Sequence, residues 1–218
     1  MMRHRVRERA PFIILPFMLG ILGAGRPANA QTFAVGLGIG YIQPTLDISR
    51  IGDEFFWTGA GAQWKDLIGL KAVKGTVFLY GDLRLYLRFP ITFELSGYRW
   101  SRVETTHPSV SPSFTVPVHN RFQDLALGLN VLWSPTLKNF RPFVGVGASF
   151  HHLRAEIDPE GFPEIATKGS KQRVGPALSA GVDWKVLPRV ALFITGRYDV
   201  VVAWNQWKIL GGIRFHGK

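Results

Sequence analysis

From residue 33 the chain repeatedly alternates large apolar residues with small or polar ones. Phe33, Val35, Leu37, Ile39 and Tyr41 alternate with Ala34, Gly36, Gly38 and Gly40. A period of two places the first set on one face of a strand and the second on the other. The pattern returns as Leu125, Leu127, Leu129, Val131 and Trp133 against Asp124, Ala126, Gly128 and Asn130. It returns again as Val144, Val146, Ala148 and Phe150 against Gly145, Gly147, Ser149 and His151. Val174, Leu178, Ala180, Val182 and Trp184 oppose Gly175, Ala177, Ser179, Gly181 and Asp183, and Leu192, Ile194 and Tyr198 oppose Thr195, Arg197 and Asp199. With 76–87, 92–102 and 206–215 the pattern predicts eight strands, of about the 9–11 residues that a tilted membrane strand needs. Successive connections span about 33, 4, 19, 9, 19, 5 and 5 residues. In an up-and-down sheet the first three long ones fall on one rim, as in bacterial transmembrane barrels with short periplasmic turns and long extracellular loops.

The same alternation fits a soluble lipocalin-like barrel with its apolar face turned inward on a ligand. Three features favour lipid outside. The second face is rich in Gly, Ala and Ser, which suits a crowded interior. Aromatic residues gather near strand ends, Phe89, Trp133 and Trp184 by the short turns and Tyr98, Trp100, Trp204 and Trp207 by the long loops, as two interfacial girdles require. Tyr98 and Trp100 share the parity of Glu94 and reach lipid only through a bulge. Closure also removes the unpaired strand edges that lipid does not tolerate.

The first 30 residues read as an export signal. Arg3, Arg5, Arg7 and Arg9 precede the apolar run 11–24, and Ala28-Asn29-Ala30 supplies a small-x-small cleavage site. Residues 1–30 are therefore expected to be a cleaved signal peptide and 31–218 the barrel domain. No run of 18 apolar residues follows Ala30, so any crossing of a membrane is made by strands. The absence of cysteine excludes disulfide frameworks, Cys-based zinc sites and thiol nucleophiles.

Within this frame the segments 141–150, 180–184, 192–199 and the closing Gly211-Gly-Ile-Arg-Phe215 resemble the outer-membrane β-barrel domain family, the small eight-stranded proteins of OmpA, OmpX and opacity-protein type. The resemblance covers essentially all of 31–218. It implies an all-β, eight-stranded antiparallel up-and-down transmembrane β-barrel in the Gram-negative outer membrane. It also implies contact with outer-membrane lipids and lipopolysaccharide, and with the assembly machinery that reads a terminal aromatic residue. Here His216-Gly217-Lys218 follows Phe215.

On this parity the interior receives Asp82, Arg84, Glu94, Asp124, Asp183, Arg197, Asp199, Lys208 and Arg214. Five acids against four bases in so narrow a space are expected to pair, giving a sealed core; a small solute or ion path through them is the alternative. A lipid-A-modifying enzyme is the reading from another class, because such barrels use His with a nearby Ser. His151-His152 is the only suggestive feature, but no acid is evident to orient His151, and adjacent strand residues point to opposite faces. Neither a catalytic set, a cofactor site nor a metal site is expected. The run from Glu156 through Asp158 and Glu160 to Gly161 opens like a calcium loop, yet its twelfth position is Thr167 rather than Glu. In the first long loop Phe55, Phe56, Trp57 and Trp64 are candidates for contact with a partner.

The formal charge of +11 would ordinarily raise nucleic acid as a partner, but an exported chain does not meet it. Five Arg and one Glu leave with the signal, so the 21 bases and 14 acids that remain give +7. Six of these are Arg88, Lys138, Arg141, Lys185, Arg189 and Lys218, on short turns or the tail. They form a basic periplasmic rim suited to anionic headgroups.

Overall fold

The computed structural model describes residues 32–47, 72–87, 89–111, 114–162 and 166–217. Ten strands follow one another: β1 (Thr32–Leu46), β2 (Thr76–Tyr86), β3 (Ile91–Thr106), β4 (Ser109–Ser111), β5 (Phe114–Thr115), β6 (Val118–Trp133), β7 (Phe140–Pro159), β8 (Thr167–Leu187), β9 (Val190–Asp199) and β10 (Trp204–His216). Eight of them close an antiparallel barrel in the order β1-β10-β9-β8-β7-β6-β3-β2, and β4 and β5 form a separate small hairpin. Each barrel strand therefore pairs with its barrel neighbours in the chain, and β10 returns to β1. The Cα partners Gln43, Trp207, Tyr198, Leu178, Val146, Val131, Phe93, Leu85 and Phe33 circle the barrel once and come back ten residues lower on β1. This shear gives the strands the tilt of roughly 35–45° that closure requires.

Alternation decides the two faces. The large apolar set points outward, with Leu79 74% and Ile209 64% exposed, while all nine charged residues assigned to the interior are buried. This face assignment is the reverse of a lipocalin.

Strand lengths correct the sequence reading in one respect. The two expected 19-residue loops are largely strand: β3 runs on to Thr106, β6 begins at Val118, β7 continues to Pro159 and β8 starts at Thr167. At about 3.3 Å per residue the 11 residues of β2 suffice to cross an apolar band about 25 Å tall, whereas the 20 of β7 and 21 of β8 overshoot it by some 20 Å. The pattern of faces inverts in this overshoot. Leu153, Ala155 and Ile157 of β7 are buried while Arg154, Glu156 and Asp158 face outward. Phe122 and Val118 of β6 are likewise buried and Arg121 and His119 exposed. Beyond the band the wall is surrounded by water, and an apolar-in, polar-out strand is the stable arrangement there.

The inversion also relocates three aromatics. Tyr98, Trp100 and Trp204, expected in the lipid girdle, lie inside the barrel with 4%, 2% and 0% exposure. Their strands are unbulged at these positions, so parity holds and carries them inward. Phe89, Trp133, Trp184 and Trp207 face outward. Phe140 joins the set by the short turns by stacking on Trp184 at 5.9 Å, and Tyr198 packs on Trp207 at 4.6 Å.

Interior glycine sets the space available to the charges. A Cβ at Gly128 would fall on Arg197 Nη2 and 2.9 Å from Ser96 Oγ, whereas at outward-facing Gly196 the nearest atom is 3.9 Å away. Gly128→Val is expected to lower unfolding free energy by roughly 1–3 kcal/mol through overpacking. Gly196→Val is expected to leave it nearly unchanged, both read from urea titrations of the barrel folded in lipid vesicles.

The charged lumen as candidate functional site

The interior charges form three connected tiers. Toward the end of the short turns, Arg84 of β2 donates from Nε to Glu94 Oε2 on β3 at 2.8 Å and from Nη1 to Asp183 Oδ2 on β8 at 3.0 Å. Arg214 of β10 grips Asp82 through Nε at 3.1 Å and Nη2 at 2.7 Å, and its Nη1 bonds Asp183 Oδ1. Glu94 and Asp183 thus receive donors from more than one residue and Asp82 a bidentate pair from one guanidinium, which is what makes buried ion pairs tolerable. Asn130 donates to the remaining Glu94 oxygen at 2.9 Å. Phe143 lies 4.1 Å beneath the Arg84 guanidinium and Phe193 4.3 Å beneath that of Arg214, so the cation faces are covered as well as their edges.

The middle tier centres on Asp199. Arg197 Nε donates to its Oδ1 at 2.8 Å, Lys208 bonds its Oδ2, and the Lys208 ammonium sits 4.3 Å over the Tyr98 ring. Arg197 also donates to Ser96 Oγ at 2.7 Å and stands 3.9 Å from Glu94, linking this tier to the one below. Tyr98 OH lies 2.7 Å from Gln206 Oε1 and 3.0 Å from Asp199 Oδ2.

The upper tier is the part that sequence reasoning missed. His151 Nδ1 is 2.9 Å from Asp124 Oδ2 and its Nε2 is 2.8 Å from Ser149 Oγ. An acid does orient the ring, contrary to expectation. Asp124 also accepts from Gln206 Nε2 at 2.6 Å. The register explains why this was hidden: Asp124 stands opposite Leu153 and His151 opposite Ala126, so the two meet on a diagonal that only the strand pairing reveals. The distances match those of a Ser-His-Asp relay, but Ser149, His151 and Asp124 are all fully buried. The set is enclosed within the barrel as a hydrogen-bonded part of its core.

Aromatic rings flank both ends of the column. Above it Trp204 contacts Trp100 at 5.9 Å and Phe122 at 5.6 Å, with Leu153 and Ile42 buried in the same cluster. Below it the Arg141 guanidinium lies 4.1 Å over Tyr86, which stacks on His216 at 5.5 Å.

Of the other expected site residues, Lys138, Arg141, Lys185 and Arg189 converge at the mouth on the short-turn side. Arg88, Lys218, Phe55, Phe56, Trp57 and Trp64 lie outside the described residues. Glu156 and Asp158 belong to β7 rather than to a loop. Among the described residues no three His, Asp or Glu side chains converge as a metal site.

Comparison with solved structures places this architecture. The outer membrane protein OprG of Pseudomonas aeruginosa superposes with a TM-score of 0.59 at 12% identity, over 86% of this chain and 96% of that one. Ail, the attachment invasion locus protein of Yersinia pestis, in complex with the heparin analogue sucrose octasulfate, gives 0.53 at 10% identity, over 87% and 100%. Neisserial surface protein A gives 0.53 at 15% identity, over 84% and 96%. No family model and no curated protein matches the chain in sequence. The chain has the fold of the small eight-stranded outer-membrane β-barrels, in keeping with its resemblance to the OmpA and OmpX type.

Asp199→Asn strands Arg197 and Lys208 without their shared anion and is expected to cost about 3–5 kcal/mol in urea unfolding. Adding Lys208→Met is expected to recover part of that loss, because one of the two stranded charges is removed.

Proposed function

We propose that the chain is an integral outer-membrane barrel, exported by a cleaved signal, that holds a tall extracellular wall at the cell surface for interaction rather than conducting solutes or catalysing a reaction. The observation that carries this reading is the division of labour between lumen and wall. The lumen is filled by paired charges and stoppered by Trp100, Trp204 and Phe122, leaving no room for a solute path in a barrel of this size.

The wall formed by β3, β6, β7 and β8 overshoots the apolar band and is polar on its outward face. Arg99, Arg121, His152 and Arg154 face outward there, with Lys168 opposite Glu156 in the register. Cations immediately above an apolar band meet the phosphates of outer-leaflet lipid first. Lipopolysaccharide is therefore the nearest partner of this surface, and an extracellular partner would meet the tip. The enzyme reading is disfavoured by the burial of Ser149 and His151.

The absence of native cysteine makes the orientation directly testable. Glu160→Cys, at the tip of β7, is expected to react with a membrane-impermeant maleimide on intact cells. Arg189→Cys, on the β8–β9 turn, is expected to react only after the outer membrane is permeabilised. In planar bilayers the unmodified protein is expected to add no steady current to the lipid background. Reversed labelling or steady channels of porin size would contradict the reading.

A further inference from the structure

The periplasmic mouth holds a cavity of about 320 Å³, and its charge is lopsided. Lys138 reaches it from the β6–β7 turn, Arg141 from the start of β7, Lys185 from the end of β8, Arg189 from the β8–β9 turn and His216 from the end of β10. Among the described residues Asp183 is the one acid on its wall, and both its oxygens are already taken by Arg84 and Arg214. Among the described residues, none of the four Lys and Arg side chains has a carboxylate within ion-pair distance.

Backbone bonds hold these pieces together. Lys185 N donates to Asn139 O at 2.7 Å, tying the end of β8 to the β6–β7 turn. His216 N donates to Arg189 O at 2.9 Å, tying the end of β10 to the β8–β9 turn. Arg141 is aimed by its Nε bond to Thr136 Oγ1 at 3.1 Å and by the Tyr86 ring beneath it. Lys138 has φ of 54°, a left-handed conformation that disfavours a side chain other than Gly or Asn. Four cations drawn together with no anion among the described residues left to neutralise them repel one another, and a multiply oxygenated anion between them removes that cost.

The cavity also has an apolar border. Phe140, which lines it, stacks on Trp184 on the lipid-facing surface. Aromatic residues of this kind mark headgroup depth, so the cavity opens where lipid phosphates of the periplasmic leaflet lie.

We infer that this pocket binds the phosphate of an anionic glycerophospholipid, with Lys138, Arg141, Lys185 and Arg189 around the phosphate and the acyl chains lying along Phe140 and Trp184. The inference rests on the outer-membrane orientation above and adds to it a discrete lipid site on the periplasmic rim.

The test uses the barrel refolded in dodecyl maltoside and native mass spectrometry with palmitoyl-oleoyl phosphatidylglycerol, the matching phosphatidylcholine, and glycerol 3-phosphate as a soluble phosphate. One phosphatidylglycerol per barrel is expected to be retained, with at least tenfold preference over phosphatidylcholine. Retention is expected to fall about tenfold or more in the Lys185→Gln, Arg189→Gln double variant, as loss of two cations at a charged surface implies. It is expected to fall also for the parent as NaCl rises. Lys74→Gln, an exposed residue just before β2 at the opposite end of the barrel, is expected to leave it unchanged. Equal retention of both lipids, or binding by the double variant equal to the parent, overturns the site. If the double variant loses heat-modifiable gel mobility, Arg189→Gln alone and the salt titration decide instead. Displacement of the lipid by equimolar glycerol 3-phosphate overturns the lipid source and leaves a soluble phosphate ester. Loss of heat-modifiable mobility in the parent would count against the membrane barrel itself, separately from the pocket.

Discussion

Nine charged side chains occupy a lumen barely wide enough to hold them, and the barrel depends on every one being paired. A closed barrel in lipid must put its apolar face outward, which leaves the polar face no solvent but itself. An unpaired ion in that space costs several kcal/mol, so the acids and bases must come in nearly equal number and in register. The five acids and four bases here, joined by His151, meet that requirement largely through bonds that cross between strands: β2 to β8, β10 to β8, β6 to β10. Interior glycines follow from the same constraint, since the guanidinium of Arg197 occupies the space a side chain at Gly128 would need. Pairing therefore fills the lumen with side chains and ties distant strands together in one step.

The second organising fact is that the barrel lives in two solvents. Within the band the outward residues are Leu, Val and Ile; above it they are Arg, His, Glu and Asp, and the apolar residues move inside. The result is a membrane barrel joined without interruption to a short water-soluble one. The tall wall gains its own core at the junction, where Trp100, Trp204 and Phe122 seal the charged column from outside.

That junction also marks where the amino-acid sequence was legible and where it was not. Leu125 to Trp133 and Val144 to Phe150 announce their faces because lipid imposes a uniform apolar outside, so the eight strands, their parity and the nine interior charges could all be read in advance. From His152 on, the apolar and polar positions exchange parity. A strand whose pattern changes phase looks like a loop, so the extensions of β3, β6, β7 and β8 read as loops from periodicity alone and Trp204 reads as lipid-facing. The Asp124–His151 pair was illegible for a different reason, since a diagonal contact between strands depends on a register that periodicity does not encode. The basic rim was visible residue by residue, but its convergence on a cavity required the turns to be folded.

Quenching of single-tryptophan variants by brominated lipid tests the exchange of faces most directly. Of two proteins folded into vesicles, one retaining only Trp184 and the other only Trp204, the first is expected to be strongly quenched by bromines on the acyl chains. The second is expected to be almost unaffected, because its indole is fully enclosed by the barrel. Comparable quenching of Trp204 would place that residue in lipid and contradict the inward apolar plug on which the closed lumen rests.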